Sequence, residues 1–176
     1  SNYVRYFICF IFTLGVCALQ AQLYTLKDPK KDSTNMEVLY DSLPIMCDSF
    51  YVMLLREDLT EMKKFVPRMK YLKSTFDTMA IEYREEQVVY RQQMLLRNLQ
   101  KDYKNILKYS EQSNLNIKRL EKGKTIYEYG QDEQENKYCY VTVLCKKNRK
   151  EYELKYLAIL LNGHWFVGDE LKLVKL

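Results

Sequence analysis

The single histidine of the chain, His164, stands beside its single tryptophan, Trp165, directly after an Asn162-Gly163 pair. An imidazole against an aromatic wall could act as a general base. A residue flanking a tight turn has a plainer role, tolerating unusual backbone angles, and we read His164 in that way. A second constellation is Tyr152, Tyr156, Trp165 and Asp169. If the segments on either side of Asn162-Gly163 pair as strands, these four share one face and would line a pocket. A carboxylate buried there would hold its proton to higher pH and could serve as a base. The plainer expectation is that Asp169 marks a bulge after Gly168 and sits in water, with the aromatics as core.

Other chemistries are excluded by count or by motif. One histidine cannot build a two-histidine metal site or zinc-finger spacing, so no metal is expected. GxSxG, GxxxxGK[ST] and GxGxxG are all missing, which removes the common nucleophile elbow and phosphate loops, and no cofactor is expected. Cys47 falls on an apolar helical stripe, where cysteine behaves as a small hydrophobe and not as a nucleophile. The basic clusters MKKFVPRMKYLK, KRLEKGK and KKNRK are interleaved with acids, and the whole chain carries only +5, so they read as solvated faces and no nucleic acid is expected.

The elements that must position these residues follow from periodicity. Leu43, Met46, Cys47, Phe50, Tyr51, Leu54 and Leu55 make one stripe of a helix, with Ser42 as N-cap and Pro44 in its first turn. LTEMKKFV predicts a second short helix that stops before Pro67. From Lys73 to Ser113 there is neither Pro nor Gly, which predicts a long helical stretch with a kink or break near Met79–Glu85. Its stripe is Val88, Leu95, Leu99, Tyr103 and Ile106, widened by Leu96 and Leu107. LNIKRLEK predicts a further helix ending at Gly123.

After Gly123 the period becomes two. KTIYEYG reads as a strand, and KYCYVTVLC sets Cys139, Val141, Val143 and Cys145 on one face. EYELKYLAILL is a third strand, and Asn162-Gly163 is a strong hairpin signal. The register this turn implies sets Leu160 against Trp165 and Ala158 against Val167. Further out it sets Lys155 against Glu170, Leu154 against Leu171 and Glu153 against Lys172. Helices first and antiparallel strands afterwards make an α+β fold.

The 176 residues, 47% hydrophobic and 29% charged, have room for one globular domain. Residues 1–21 read as a signal peptide: one early cation, Arg5, a 14-residue apolar run Tyr6–Leu19 and a small residue at Ala21, with cleavage expected before Gln22. An uncleaved anchor and a lipoprotein are the alternatives, the latter from Leu14-Gly15-Val16-Cys17, so any membrane contact would run through this segment. The first residue is not Met, which suggests that a short cationic start is missing. Removing Arg5 lowers the charge from +5 to +4, too small a surplus to point to a partner. Residues 22–41 read as a linker and 42–176 as one domain, with an insertion at about 73–113. Cys47, Cys139 and Cys145 remain after cleavage, an odd number. A bridge from Cys47 to either of the others is open. Cys139 and Cys145, about 20 Å apart along one strand, cannot join each other.

FYVMLLREDLTEMKKFVP, followed later by YCYVTVLCKKNRKEYELKYLAILLNGHWFVGDELKL, resembles the cystatin-like, nuclear transport factor two-like superfamily, and in particular its small exported bacterial domains. The resemblance rests on an early helix broken by RED and a final hairpin of the form LNGxWxVxDxL, and the 73–113 stretch departs from it. It implies a curved sheet wrapped around a helix, with a cone-shaped pocket that some members use. The expected function is therefore an exported, non-catalytic module of the periplasm or cell envelope that binds a small ligand or a protein, with homodimerisation open. One alternative is a helical adaptor offering the 73–113 stripe to a partner. Another is a cofactor-free isomerase or cyclase using Asp169 and the tyrosines.

Overall fold

The structure, a computed structural model, describes residues 37–76 and 81–176. The expected signal segment and most of the expected linker lie outside these residues. So does the first part of the expected break, Met79 and Ala80.

Helix α1 (Leu43–Leu55) starts where sequence chemistry places it. Ser42 is extended, its carbonyl accepts from the Met46 N–H at 3.0 Å, and Pro44 occupies the first turn, where its missing N–H costs nothing. Ser42 caps by position only, since its side chain makes no capping bond. The expected stripe from Leu43 to Leu54 is buried, with Leu55 half-buried. The expected second helix shrinks to a single 3₁₀ turn, Glu61–Lys64, before Pro67. A short helix α2 (Met69–Leu72) and another 3₁₀ turn, Lys73–Phe76, follow. Helix α3 (Ile81–Gln112) is 32 residues long and unbroken, a rod of about 48 Å. Its predicted stripe faces inward: Val88, Leu95, Leu99, Tyr103 and Ile106 are all buried.

Five antiparallel strands form a curved, unclosed sheet: β1 (Glu121–Gln131), β2 (Lys137–Lys147), β3 (Lys150–Leu161), β4 (His164–Val167) and β5 (Lys172–Lys175). The order is β1-β2-β3-β4, with β5 on the same flank of β3 as β4, further from the turn. The fold is thus α+β. The helix expected at LNIKRLEK is only a 3₁₀ turn, Ile117–Arg119, and β1 already begins at Glu121. Gly123 therefore stops no helix. It sits in a bulge between Lys122 and Thr125, where a Cβ would lie 3.1 Å from the Leu144 carbonyl oxygen.

The hairpin turn is formed with positive φ at both Asn162 (49°) and Gly163 (80°). Next to the turn the expected register holds: Leu160 faces Trp165 and Ala158 faces Val167. Further out it fails. Lys155 faces Lys172, Leu154 faces Leu173 and Glu153 faces Val174, so neither predicted charge pair forms. The cause is a bulge at Gly168-Asp169-Glu170. Leu157 gives its N–H to the Asp169 carbonyl (2.9 Å) while its own carbonyl accepts from the Gly168 N–H (2.7 Å), and Glu170 turns at φ 66°. Two extra residues are absorbed there, which moves every later partner by two and leaves inward side chains inward. Lys155 pairs instead along its own strand with Glu153, at 2.7 Å.

Candidate functional site

Helix α1 lies on the concave face of the sheet, where a cone would open. Strand alternation brings Tyr152, Tyr156 and Trp165 to that face, and all three are buried. The α1 stripe closes over Tyr156, whose ring meets Phe50 edge-on, 4.9 Å between centroids, while Tyr152 lies near Tyr109 of α3 and Trp165 meets Tyr129 at 6.2 Å. The Tyr156 hydroxyl is sealed from solvent. Its polar neighbour is the Cys47 thiol, and it has no oxygen or nitrogen partner. Burial holds that phenol well above its ordinary pKa, and the nearby thiols add to the effect. Burial likewise pushes the Cys47 thiol up to about 11 and the Cys139 thiol up to about 12. All three described cysteines are free and buried, so each is a protonated, apolar packing group at neutral pH. Tyr51 and Tyr103 reach backbone carbonyls instead. Tyr51 donates to Leu120 at 3.0 Å and Tyr103 donates to Leu54. Between α1, α3 and the sheet a void of about 10 Å³ remains, lined by apolar groups including Leu54, Ile106 and Leu154, at the lower limit for one water.

Asp169 marks a bulge after Gly168, as the plainer expectation had it, and the bulge carries its side chain toward α3 instead of into a pocket with Tyr156. Its carboxylate accepts from Asn98 Nδ2 at 3.3 Å and from the Glu170 N–H at 2.8 Å. Asp102, one helical turn beyond Asn98, faces the same bulge, near the Leu171 N–H. Partial burial, then the charge of Asp169, raise the pKa of Asp102. This acid pair was missed by the sequence reading. Its signal was present, since Asn98 and Asp102 lie four apart beside the buried Leu95–Leu99 stripe. Reading 73–113 as an insertion left that helix without a partner strand.

His164 is half-buried, with Nδ1 2.5 Å from Asp41 Oδ1 and its ring edge-on to Tyr71 at 5.7 Å. Two backbone bonds accompany it: Trp165 N–H to the Tyr40 carbonyl (2.7 Å) and Val167 N–H to the Phe65 carbonyl (2.8 Å). Together they close the outer edge of β4, and the Tyr40 bond clamps the segment before α1 onto it, so the end of the expected linker belongs to the domain. Among the described residues no group of three His, Cys, Asp or Glu has the arrangement of a metal site, and no helix is long and apolar enough to cross a membrane. No protein-family model, curated protein or solved structure matches the chain.

Proposed function

We propose that the chain is an exported, non-catalytic module of the periplasm or cell envelope that binds through its surface. The observation that carries this reading is the filled concave face. Tyr152, Tyr156 and Trp165 are all buried, Tyr156 against Phe50 of α1, and Asp169 is bonded to Asn98 on another helix. An isomerase or cyclase would need those aromatics and that carboxylate around one open cavity. Export rests on the tripartite pattern of residues 1–21. Expression of the full chain in a Gram-negative host tests it. A periplasmic product whose mass begins at Gln22 is expected, and a cytoplasmic product retaining Arg5 would overturn export. The filled face is tested with anilinonaphthalene sulfonate. Native protein should leave its fluorescence unchanged, whereas enhancement with energy transfer from Trp165 would point back to an open pocket.

An adaptor role for α3 has one observation in its favour. The Val88–Ile106 stripe is taken up by the chain's own core, yet Tyr83 and Tyr90, seven residues apart on the outer side, are 62% and 51% exposed. Replacing both by Ser should leave folding intact and remove any partner that uses this face.

A further inference from the structure

The two edges of the sheet differ. β4 is closed by the carbonyls of Tyr40 and Phe65. β1, eleven residues long, has β2 on one side and no described strand on the other. An open row of N–H and C=O groups is a template for another strand. Its side chains are unusually exposed for this fold, with Ile126 at 39% and Tyr129 at 65%. Lys124 and Glu128 are exposed too, and neither forms an ion pair with another described residue.

We propose that β1 pairs antiparallel with β1 of a second copy of this chain, about a two-fold axis through Ile126. The pattern Lys124-Thr125-Ile126-Tyr127-Glu128 is charge-complementary to itself when reversed. In this register Lys124 meets Glu128 of the second copy, twice by symmetry, and the two Ile126 side chains meet on the axis. Thr125 faces Tyr127 of the second copy, a β-branched and aromatic pair suited to strands. Neighbouring registers are poorer. An axis through Tyr127 sets Ile126 against a carboxylate, one through Glu128 sets that carboxylate against itself, and one through Thr125 leaves Lys124 facing Ile126. Gly123 and Lys124 both oppose Leu144 in the bulge between Lys122 and Thr125, so Lys124 reaches its partner from the irregular end of the edge, the contact is short and the dimer weak. The inference is independent of export and of any pocket.

The test uses the full chain, expressed with its own N-terminal segment and purified, in sedimentation velocity between about 1 and 200 μM. Wild type should pass from monomer to dimer across that range. Lys124→Glu and Glu128→Lys each place two like-charge pairs at the contact, and each should weaken association at least about tenfold. Both positions are exposed, so circular dichroism should show an unchanged fold. Mixing the two variants pairs every charge with its opposite and should restore a dimer, and the double swap in one chain should do the same. A wild type that stays monomeric throughout would overturn the proposal. So would dimers insensitive to both reversals, or variants that fail to recover on mixing.

Discussion

Three tyrosine hydroxyls buried in one core differ in what they bond to, and that difference sets the effect of removing each. Tyr103 donates to the Leu54 carbonyl near the end of α1, which also accepts from the Glu57 N–H at 3.2 Å. Tyr103→Phe should cost about 0.5–1.5 kcal/mol in urea unfolding, because that carbonyl loses one of its two bonds and keeps the one from Glu57. Tyr156 has no such partner, and its ring does the packing against Phe50. Tyr156→Phe should therefore be neutral or stabilising by up to about 1 kcal/mol, and a loss above that would mean the hydroxyl has a role in the native state. Asp102 gives a pH-dependent case. Its folded pKa is raised, so it supports the fold when protonated, and that support is lost as pH rises through the raised value. At neutral pH the ionised group, close to Asp169, is a burden. Asp102→Asn should stabilise by less than about 1 kcal/mol near pH 7, given its partial solvation, and the gain should vanish near about pH 3.

Among the elements, the hairpin separates what its sequence discloses from what it conceals. Asn162-Gly163 imposes a turn with positive φ at both positions, and that turn dictates the pairing of the residues beside it. Ten residues on, the reading rested on apolar alternation and on charges meeting across the strands. Alternation reports only parity, and two extra residues at Gly168-Asp169-Glu170 preserve parity while changing every partner. The misplaced Lys155–Glu170 pair was worth about 0.2–1 kcal/mol, too little to oppose the two backbone bonds that Leu157 makes to the bulge. The same ambiguity misled at residues 115–122, where a short apolar spacing fits a helix or the start of a strand, and β1 pairing with β2 decided the matter. Of the candidate site, the shared face of Tyr152, Tyr156 and Trp165 was legible because strands alternate. Its closure by α1 was not, since it depends on how a helix crosses a sheet. The bulge also yields a test. Glu170 holds φ 66° with a side chain that disfavours it, so Glu170→Gly should raise stability by about 0.5–1 kcal/mol in thermal unfolding. A loss would mean that the carboxylate contributes more than the strain costs.

For the molecule as a whole, the core is unusual in being built from groups that can ionise. Cys47, Cys139, Cys145, Tyr51, Tyr103 and Tyr156 are buried together, and burial raises the pKa of every one. Each is neutral when protonated, so an ordinary apolar core and this one are alike at pH 7. They part company in alkali. The unfolded chain releases its thiol protons near about pH 8.5 and its phenol protons near about pH 10. The native chain keeps the Cys47 proton to about 11 and the Cys139 proton to about 12. Above about pH 9 the native state therefore binds more protons than the unfolded one, and stability must fall as pH rises. Urea midpoints should be level between about pH 6 and 8, then decline with a slope of up to about 1.4 kcal/mol per pH unit for each proton retained. Cys47→Ala removes one retained proton, so it should lower stability at neutral pH through lost packing yet make the alkaline decline shallower. A wild-type curve that stays level to pH 11 would mean that water reaches these thiols, and the filled concave face on which the functional proposal depends would fail with it.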